Sequence, residues 1–523
     1  MLFNAYEFIF AFLPITLAGF FFLGANRGLR PAVAWLVAAS LFFYGYWRPI
    51  YLLLIGGSIL FNYFCGLGIA RLLAKEHARA AKALMIFGVT ANLASIGLFK
   101  YADFLINNVN SLTGSEFSNL NLLLPLAISF FTFQQISYLA DAYNGEPVER
   151  DFLSYALFVT FFPQLIAGPI VHHSEMLPQF HRKGIGRLNW DDIAVGLSLF
   201  AFGLFKKTII ADNIATFSDP VFAAANAGET ITLVDGWIGA LAYTGQLYFD
   251  FSGYSDMALG LARMFGIRLP LNFNSPYKAR DISDFWRRWH MTLSRFLRDY
   301  LYIALGGNRA GQIRRYVNLG ATMLLGGLWH GAGWTFVIWG GLHGFYLIIN
   351  HAWNWLWYTR RGVTRGNGWL SVWTGRLITF LAVVIAWVYF RAESLEAANG
   401  MLVGMLGLNG AVIPSHWQLY FGPIAAPLEV LGFQFGNMKT LSQISVLPWL
   451  VVVFAIAFFA PNTQQILHAY DPALMTDRKQ TISPAPAWLS WRPSRVWVLV
   501  VGVLAAWAVF GRTTTSQFLY FNF

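Results

Sequence analysis

Tyr6-Glu7-Phe8-Ile9-Phe10-Ala11-Phe12-Leu13-Pro14-Ile15-Thr16-Leu17-Ala18-Gly19-Phe20-Phe21-Phe22-Leu23-Gly24 is a run of nineteen residues carrying one charge. A transmembrane helix needs about 20 mostly apolar residues. No basic residue precedes the run, Glu7 sits at its start and no A-x-A site follows, so it reads as a retained first span rather than a cleaved leader. Comparable runs follow at Ala32–Tyr46, Tyr51–Ala70, Ala83–Leu105, Leu122–Tyr143, Phe152–Val171, Ile193–Ala211 and Ile231–Leu261. Others lie at Tyr316–Trp329, Trp334–Trp353, Val372–Phe390, Leu447–Pro461 and Val496–Phe510. Several are short or broken by Gly and Pro. The expected fold is therefore all-α: a polytopic integral membrane protein with about eleven transmembrane helices, plus re-entrant or interfacial helices tolerated where protein surrounds them.

Composition agrees. Of 523 residues, 57% are hydrophobic, 17% aromatic and 12% charged, whereas soluble domains carry about 25% charged residues. That excludes an ordinary soluble enzyme, a disordered chain and a fibrous one. The single cysteine, Cys65, lies in an apolar run and cannot form an internal disulfide or, alone, a metal site. No internal repeat or extra soluble domain interrupts the chain, which reads as one membrane-embedded domain over residues 1–523.

The net charge of +11 would suggest nucleic acid in a soluble protein. Here the charges sit between apolar runs, where the positive-inside rule accounts for them. Arg71, Lys75, Arg79 and Lys82 follow the third span, and the loop Asn107–Asn121 has no Lys or Arg. Alternation then puts the N-terminus outside and Arg71–Lys82 in the cytoplasm, with Arg48 as the one outlying arginine. Arg263–Arg315 carries eleven basic and three acidic residues, +8 of the total, and is cytoplasmic by the same rule. Within it, Asp281–Leu301 is predicted to be one amphipathic interfacial helix. Phe285, Trp286, Trp289, Leu293, Phe296, Leu297 and Tyr300 line one face, and Arg287, Arg288, Arg295 and Arg298 the other.

The chain contains no P-loop, H-E-x-x-H, G-x-S-x-G or H-x4-D motif. His172, His173 and Glu175 point to different helix faces, so no metal is assigned. His330 differs from the other histidines. Fourteen residues from Tyr316 rise about 21 Å, which puts His330 deep in a core about 30 Å thick. An ionisable residue at that depth is a functional candidate; a neutral histidine bonded to a neighbouring helix is the other reading. Gly327, Gly331 and Gly333 around it permit a helix break or a close substrate approach. His343, in a similar glycine setting, is read as packing. Asp250, Ser252 and Asp256 form a polar island that either relays charge or caps a span break.

Asp284-Phe285-Trp286-Arg287-Arg288-Trp289-His290, Arg298-Asp299-Tyr300-Leu301-Tyr302-Ile303, Leu305-Gly306-Gly307-Asn308-Arg309 and Gly327-Leu328-Trp329-His330-Gly331 resemble motifs of the membrane-bound O-acyltransferase family. Tyr248–Met257 and Leu165-Ile166-Ala167-Gly168-Pro169 resemble its bacterial branch. The likeness covers nearly the whole chain and is tightest over Tyr243–Gly344. Within the family it points to alginate O-acetyltransferase membrane subunits and bacterial cellulose acetylation, with peptidoglycan-acetylating and D-alanylating relatives further off. The aromatic ending Gln517–Phe523 supports that branch, with Asn522 where its members commonly have Gln.

The resemblance implies a ring of helices around a central tunnel in a bacterial inner membrane. It implies acetyl transfer from a cytoplasmic donor to an exopolysaccharide, through a periplasmic partner of the SGNH type. The family's catalytic histidine maps onto His330 and its second functional histidine onto His290. Acetyl-CoA is the expected donor, a carrier-protein thioester the alternative. The basic stretch, Arg287 and Arg298 in particular, would receive its phosphates. No permanently bound cofactor, metal or nucleic acid is implied. A transporter or flippase moving a lipid or glycan without covalent chemistry is the alternative that broken helices and buried polar islands also suit.

Overall fold

The computed structural model describes every residue except 183, 310, 365, 437–442, 476–481, 512–515 and 520–523; the last four of the C-terminal aromatic run thus lie outside the described residues. The described residues are mostly helical. Among the described residues the strands are Ala411–Pro414 and Phe433–Gly436, paired in parallel.

Five described helices are long and apolar enough to cross a membrane: Phe8–Asn26, Tyr51–Ala74, Ala78–Thr113, Trp190–Asn226 and Trp369–Arg391. Three shorter apolar helices accompany them, Leu29–Gly45, Val446–Phe459 and Arg495–Phe510. One of the remaining expected spans is polar for a physical reason. Leu233–Met264 carries Asp235, Asp250, Asp256 and Arg263, but all except four of its 32 residues are buried. Protein rather than lipid surrounds it, so its side chains need partners, not hydrophobicity. It packs on Trp190–Phe205 through two glycine pairs, Gly196 with Gly260 and Gly203 with Gly253. A Cβ on any of them would meet backbone of the facing helix, the close small-residue contact by which membrane helices associate.

The expected span Phe152–Val171 is two pieces, Phe152–Thr160 and Phe162–Leu165. Phe161 leaves the helical region (ψ 106°) just before Phe162-Pro163, and proline cannot donate to a preceding turn. The single helix expected over Asp281–Leu301 is broken as well. It comprises Ile282–Trp286 and Met291–Phe296, then a π-helical stretch Leu297–Tyr302, with His290 at φ 41° in the gap. The extended segment at 272–274 takes the bonds that a continuous helix would use: Met291 N–H donates to Asn272 O and Asn274 N–H to Arg288 O, both at 2.9 Å. Its aromatic face is buried against protein rather than laid on a bilayer surface.

Gly311–His330 and Trp334–Asn354 form a hairpin whose tip is Gly331–Gly333. The hairpin closes through glycine: a Cβ on Gly327 would strike the Phe336 carbonyl, and one on Gly331 the Phe336 ring. These glycines therefore admit the neighbouring helix and end the first arm at His330. The room expected there for a substrate is taken by the second arm.

Candidate active site

His330 is the last residue of its helix and is 4% exposed. The final carbonyls of an α-helix lack intrahelical donors, and here another helix supplies them. Tyr101 Oη donates to Leu328 O at 2.8 Å, and Lys100 Nζ to Trp329 O at 2.6 Å and His330 O at 3.0 Å. Both donors sit in a π-helical turn, Gly97–Tyr101, inside the long helix Ala78–Thr113. Such bulges recur at functional sites because they re-aim side chains out of the helical repeat. The His330 ring meets Trp329, Trp339 and Phe390 edge-on, at centroid distances of 4.8, 5.0 and 5.2 Å.

His290 comes from the broken segment forty residues earlier, and its ring centroid is 6.5 Å from that of His330. Its Nδ1 lies 3.0 Å from Asn272 Oδ1. That oxygen also accepts from Thr292 N–H (3.4 Å) and Thr292 Oγ1 (2.9 Å), and Asn272 Nδ2 donates to Ser255 Oγ at 3.3 Å. Because a backbone N–H can only donate, the group facing His290 is the amide oxygen. Nδ1 therefore carries the proton and Nε2 the lone pair.

Cavities lie at both ends of the hairpin, and the one at the tip reaches His330. At the tip, a cavity of about 390 Å³ is lined by Lys100, Trp329 and His330. A second, of about 750 Å³, includes Lys207, Asp212, Phe336, Phe390 and Arg391. Gln517 lines both. At the open end, a cavity of about 350 Å³ is lined by Trp286, Arg298, Arg315 and His351. Trp286 contacts Trp339 at 5.9 Å, and Trp339 contacts His330. Of the two arginines singled out from sequence, Arg298 lines this cavity, where it also pairs with Asp299 (2.7 Å). Arg287 is exposed outside it.

A peptidoglycan O-acetyltransferase from Helicobacter pylori is 49% identical to this chain over 437 residues, covering 78% of the chain and 80% of that protein. A probable alginate O-acetylase, AlgI of Pseudomonas aeruginosa, is 44% identical over 426 residues, covering 80% and 76%. The profile of the MBOAT, membrane-bound O-acyltransferase family, matches residues 146–390. The chain belongs to the membrane-bound O-acyltransferase family. It is an acyltransferase, which decides against the transporter reading. A teichoic acid D-alanyltransferase from Streptococcus thermophilus matches more distantly, at 29% over 249 residues, 45% of this chain and 58% of that protein. The peptidoglycan relative is more similar than the alginate one, which corrects the expectation that peptidoglycan acetylation stands further off.

The other polar residues of the acyltransferase fall into structural roles. His343 is fully buried among Phe285, Trp286, Trp339 and Trp387. His173 faces Asp141 at 3.3 Å, His172 Nδ1 donates to Tyr300 Oη at 3.0 Å, and Glu175 is paired with Arg295. Asp250 and Asp256 are ion-paired with Lys207 and Lys206, each at 2.6 Å; they brace the helix Leu233–Met264 against its neighbour.

Sequence reasoning passed over Lys100, Lys206, Lys207 and Asn272. The lysines had a signal, since each lies in an apolar run where an ionisable residue needs a reason. Asn272 had none, because its role depends on a chain reversal. Lys100 yields a test. A buried carbonyl left without its donor costs about 1–3 kcal/mol; a loss of that size in the reacting geometry lowers kcat roughly tenfold. Lys100→Met is expected to do so with the donor KM unchanged, and Lys100→Arg to recover part of the loss. Equal turnover in Lys100→Met and wild type would remove this residue from the site.

Proposed function

We propose that this protein takes an acetyl group from acetyl-CoA on the cytoplasmic side of a bacterial inner membrane and delivers it across for O-acetylation of a cell-envelope polysaccharide. The observation that carries the reading is the meeting of His330 and His290, forty residues apart in sequence, between cavities at opposite ends of one helical hairpin. Alginate- or cellulose-like exopolysaccharide is the acceptor class proposed from the sequence. The peptidoglycan relative adds a second glycan of the same chemistry, a sugar hydroxyl. A periplasmic partner of the SGNH type would carry the group onward. The spans, about eleven with Leu233–Met264 and the two hairpin arms among them, would form a ring around the histidines.

In this reading the acceptor hydroxyl oxygen attacks the thioester carbonyl while His330 takes the hydroxyl proton. The carbon–sulfur bond then breaks, and the proton passes to the departing thiolate. His290, held by Asn272, orients or polarises the thioester. Incubating membranes with radiolabelled acetyl-CoA tests the proposal: label should appear on the glycan or the partner, and its absence from both would end it.

Two narrower results are expected. Arg298→Glu places a carboxylate in the open-end cavity and should raise KM for acetyl-CoA about tenfold, since local charge sets the concentration of an anionic substrate. Arg287→Glu, outside the cavity, should change it far less. The reverse order would move the donor entrance elsewhere. For orientation, cysteines at Ala78 and Ser115 should label from opposite sides of the membrane. The native Cys65 is buried and gives little background. Labelling of both from the periplasm would overturn the orientation.

A further inference from the structure

We propose that the cleft between the helices Trp334–Asn354 and Trp369–Arg391 binds one anionic phospholipid from the leaflet on the basic side of the protein. The cleft is separate from the three cavities around the histidines and encloses about 520 Å³. Its lining changes character with depth. At the hairpin's open end it presents Arg280, Tyr358 and Ser371; further along it presents Ile349, Ile378 and Ala382, with Tyr346, Asn350 and Thr379 among them. Ser371 and Ala382 are eleven residues apart on one helix, so the gradient runs over about 16 Å. A polar mouth leading into an apolar slot of that depth suits a headgroup followed by acyl chain, and it faces the bilayer: Ile349, Trp353 and Ile378 are all about half exposed.

Charge selects the headgroup. The loop between the two helices carries Arg360 and Arg361 at its start, and its sequence has no Asp or Glu. Arg361 and Arg376 stack on Trp357 and Trp373, at 4.3 and 4.9 Å, which anchors the basic rim at the level of the aromatic belt. The Arg280 guanidinium reaches Asn367 Oδ1 at 3.3 Å. The one acid in the lining, Asp281, accepts from Asp284 N–H as a helix cap and balances Arg280, so the positive excess at the mouth comes from the arginines of the rim. A basic pocket between membrane helices on the cytoplasmic side is the recognised setting for anionic headgroups.

Native mass spectrometry of the purified full-length protein, with phosphatidylglycerol or phosphatidylcholine added in equal amounts, tests this. Wild type should retain one phosphatidylglycerol in preference to phosphatidylcholine. Arg280→Gln should weaken that retention roughly fivefold, and Ser371→Glu, at an exposed position, should do the same by repulsion. Ala382→Trp should fill the slot and reduce retention of both lipids. Equal retention of the two lipids by wild type, or unchanged retention in both Arg280→Gln and Ser371→Glu, overturns the proposal. So does displacement of phosphatidylglycerol by its chain-free headgroup, which would mark a site for soluble anions. None of these outcomes depends on acetyl transfer.

Discussion

His330→Ala should lose acetyl transfer by about 10²–10⁴-fold, the usual range for removing a general base, while the protein remains folded in the membrane. The geometry supports both halves of that expectation. The imidazole borders the cavity at the hairpin tip, so truncating it enlarges an existing space rather than opening a sealed void in the core. The helix end keeps its caps, because Lys100 and Tyr101 bind backbone carbonyls that alanine retains. Purified variant and wild type should therefore show the same monodisperse elution and melting temperature, and differ only in turnover of acetyl-CoA. Near-normal turnover in His330→Ala would make the residue a packing histidine like His343. His290→Ala should also lose activity, less completely, since in the proposed mechanism its ring acts beside the reacting atoms rather than on the transferred proton.

The largest effect on stability is expected from Lys207→Met. Lys207 and Asp250 are 2% and 3% exposed and 2.6 Å apart. Lys207 also bonds Asp212 at 2.8 Å and the Gln517 carbonyl at 3.0 Å. Removing this one cation leaves two carboxylates facing each other, one of them fully buried. Breaking a buried pair by deleting one member costs about 3–5 kcal/mol. Asp250→Asn should be milder, because Lys207 keeps Asp212. The double variant Lys207→Met/Asp250→Asn should regain part of the loss, because the buried charge has gone with its partner. Thermal unfolding in detergent reads all three. A Lys207→Met protein as stable as wild type would mean that the ion pair contributes nothing net.

Much of the fold was legible because hydrophobic length is a local property. The runs at Tyr51–Ala70, Trp334–Trp353 and Val496–Phe510 begin within a residue of the helices found there and end within four. His330 was legible for the same reason, as an ionisable residue in an apolar run. Periodicity misled at Asp281–Leu301. The aromatic stripe is real and buried, but 3.6-residue spacing says nothing of a backbone reversal forced by another strand of chain. The break at His290 depends on the extended segment at 272–274, which offers hydrogen bonds that no local pattern reveals. The partners of Asp250 and Asp256 escaped for a related reason. Two aspartates in a helix advertise a need for compensation but not its source, which here lies about fifty residues away in sequence.

The segment Ser516–Leu519 has a consequence for how the protein is made. Ser516 O accepts from Asn4 Nδ2, Ser516 Oγ donates to Asp212, Gln517 O accepts from Lys207 and Leu519 N–H donates to Asp250. Leu519 is 269 residues beyond Asp250. At about 5–20 residues per second of synthesis, the aspartate is in place for roughly 15–50 seconds before its last partner leaves the ribosome. Gln517, shared by both cavities at the hairpin tip, is made two residues before Leu519. The wall beside His330 is thus built well after His330 itself, so a nascent chain lacks a closed cavity there until Gln517 has followed.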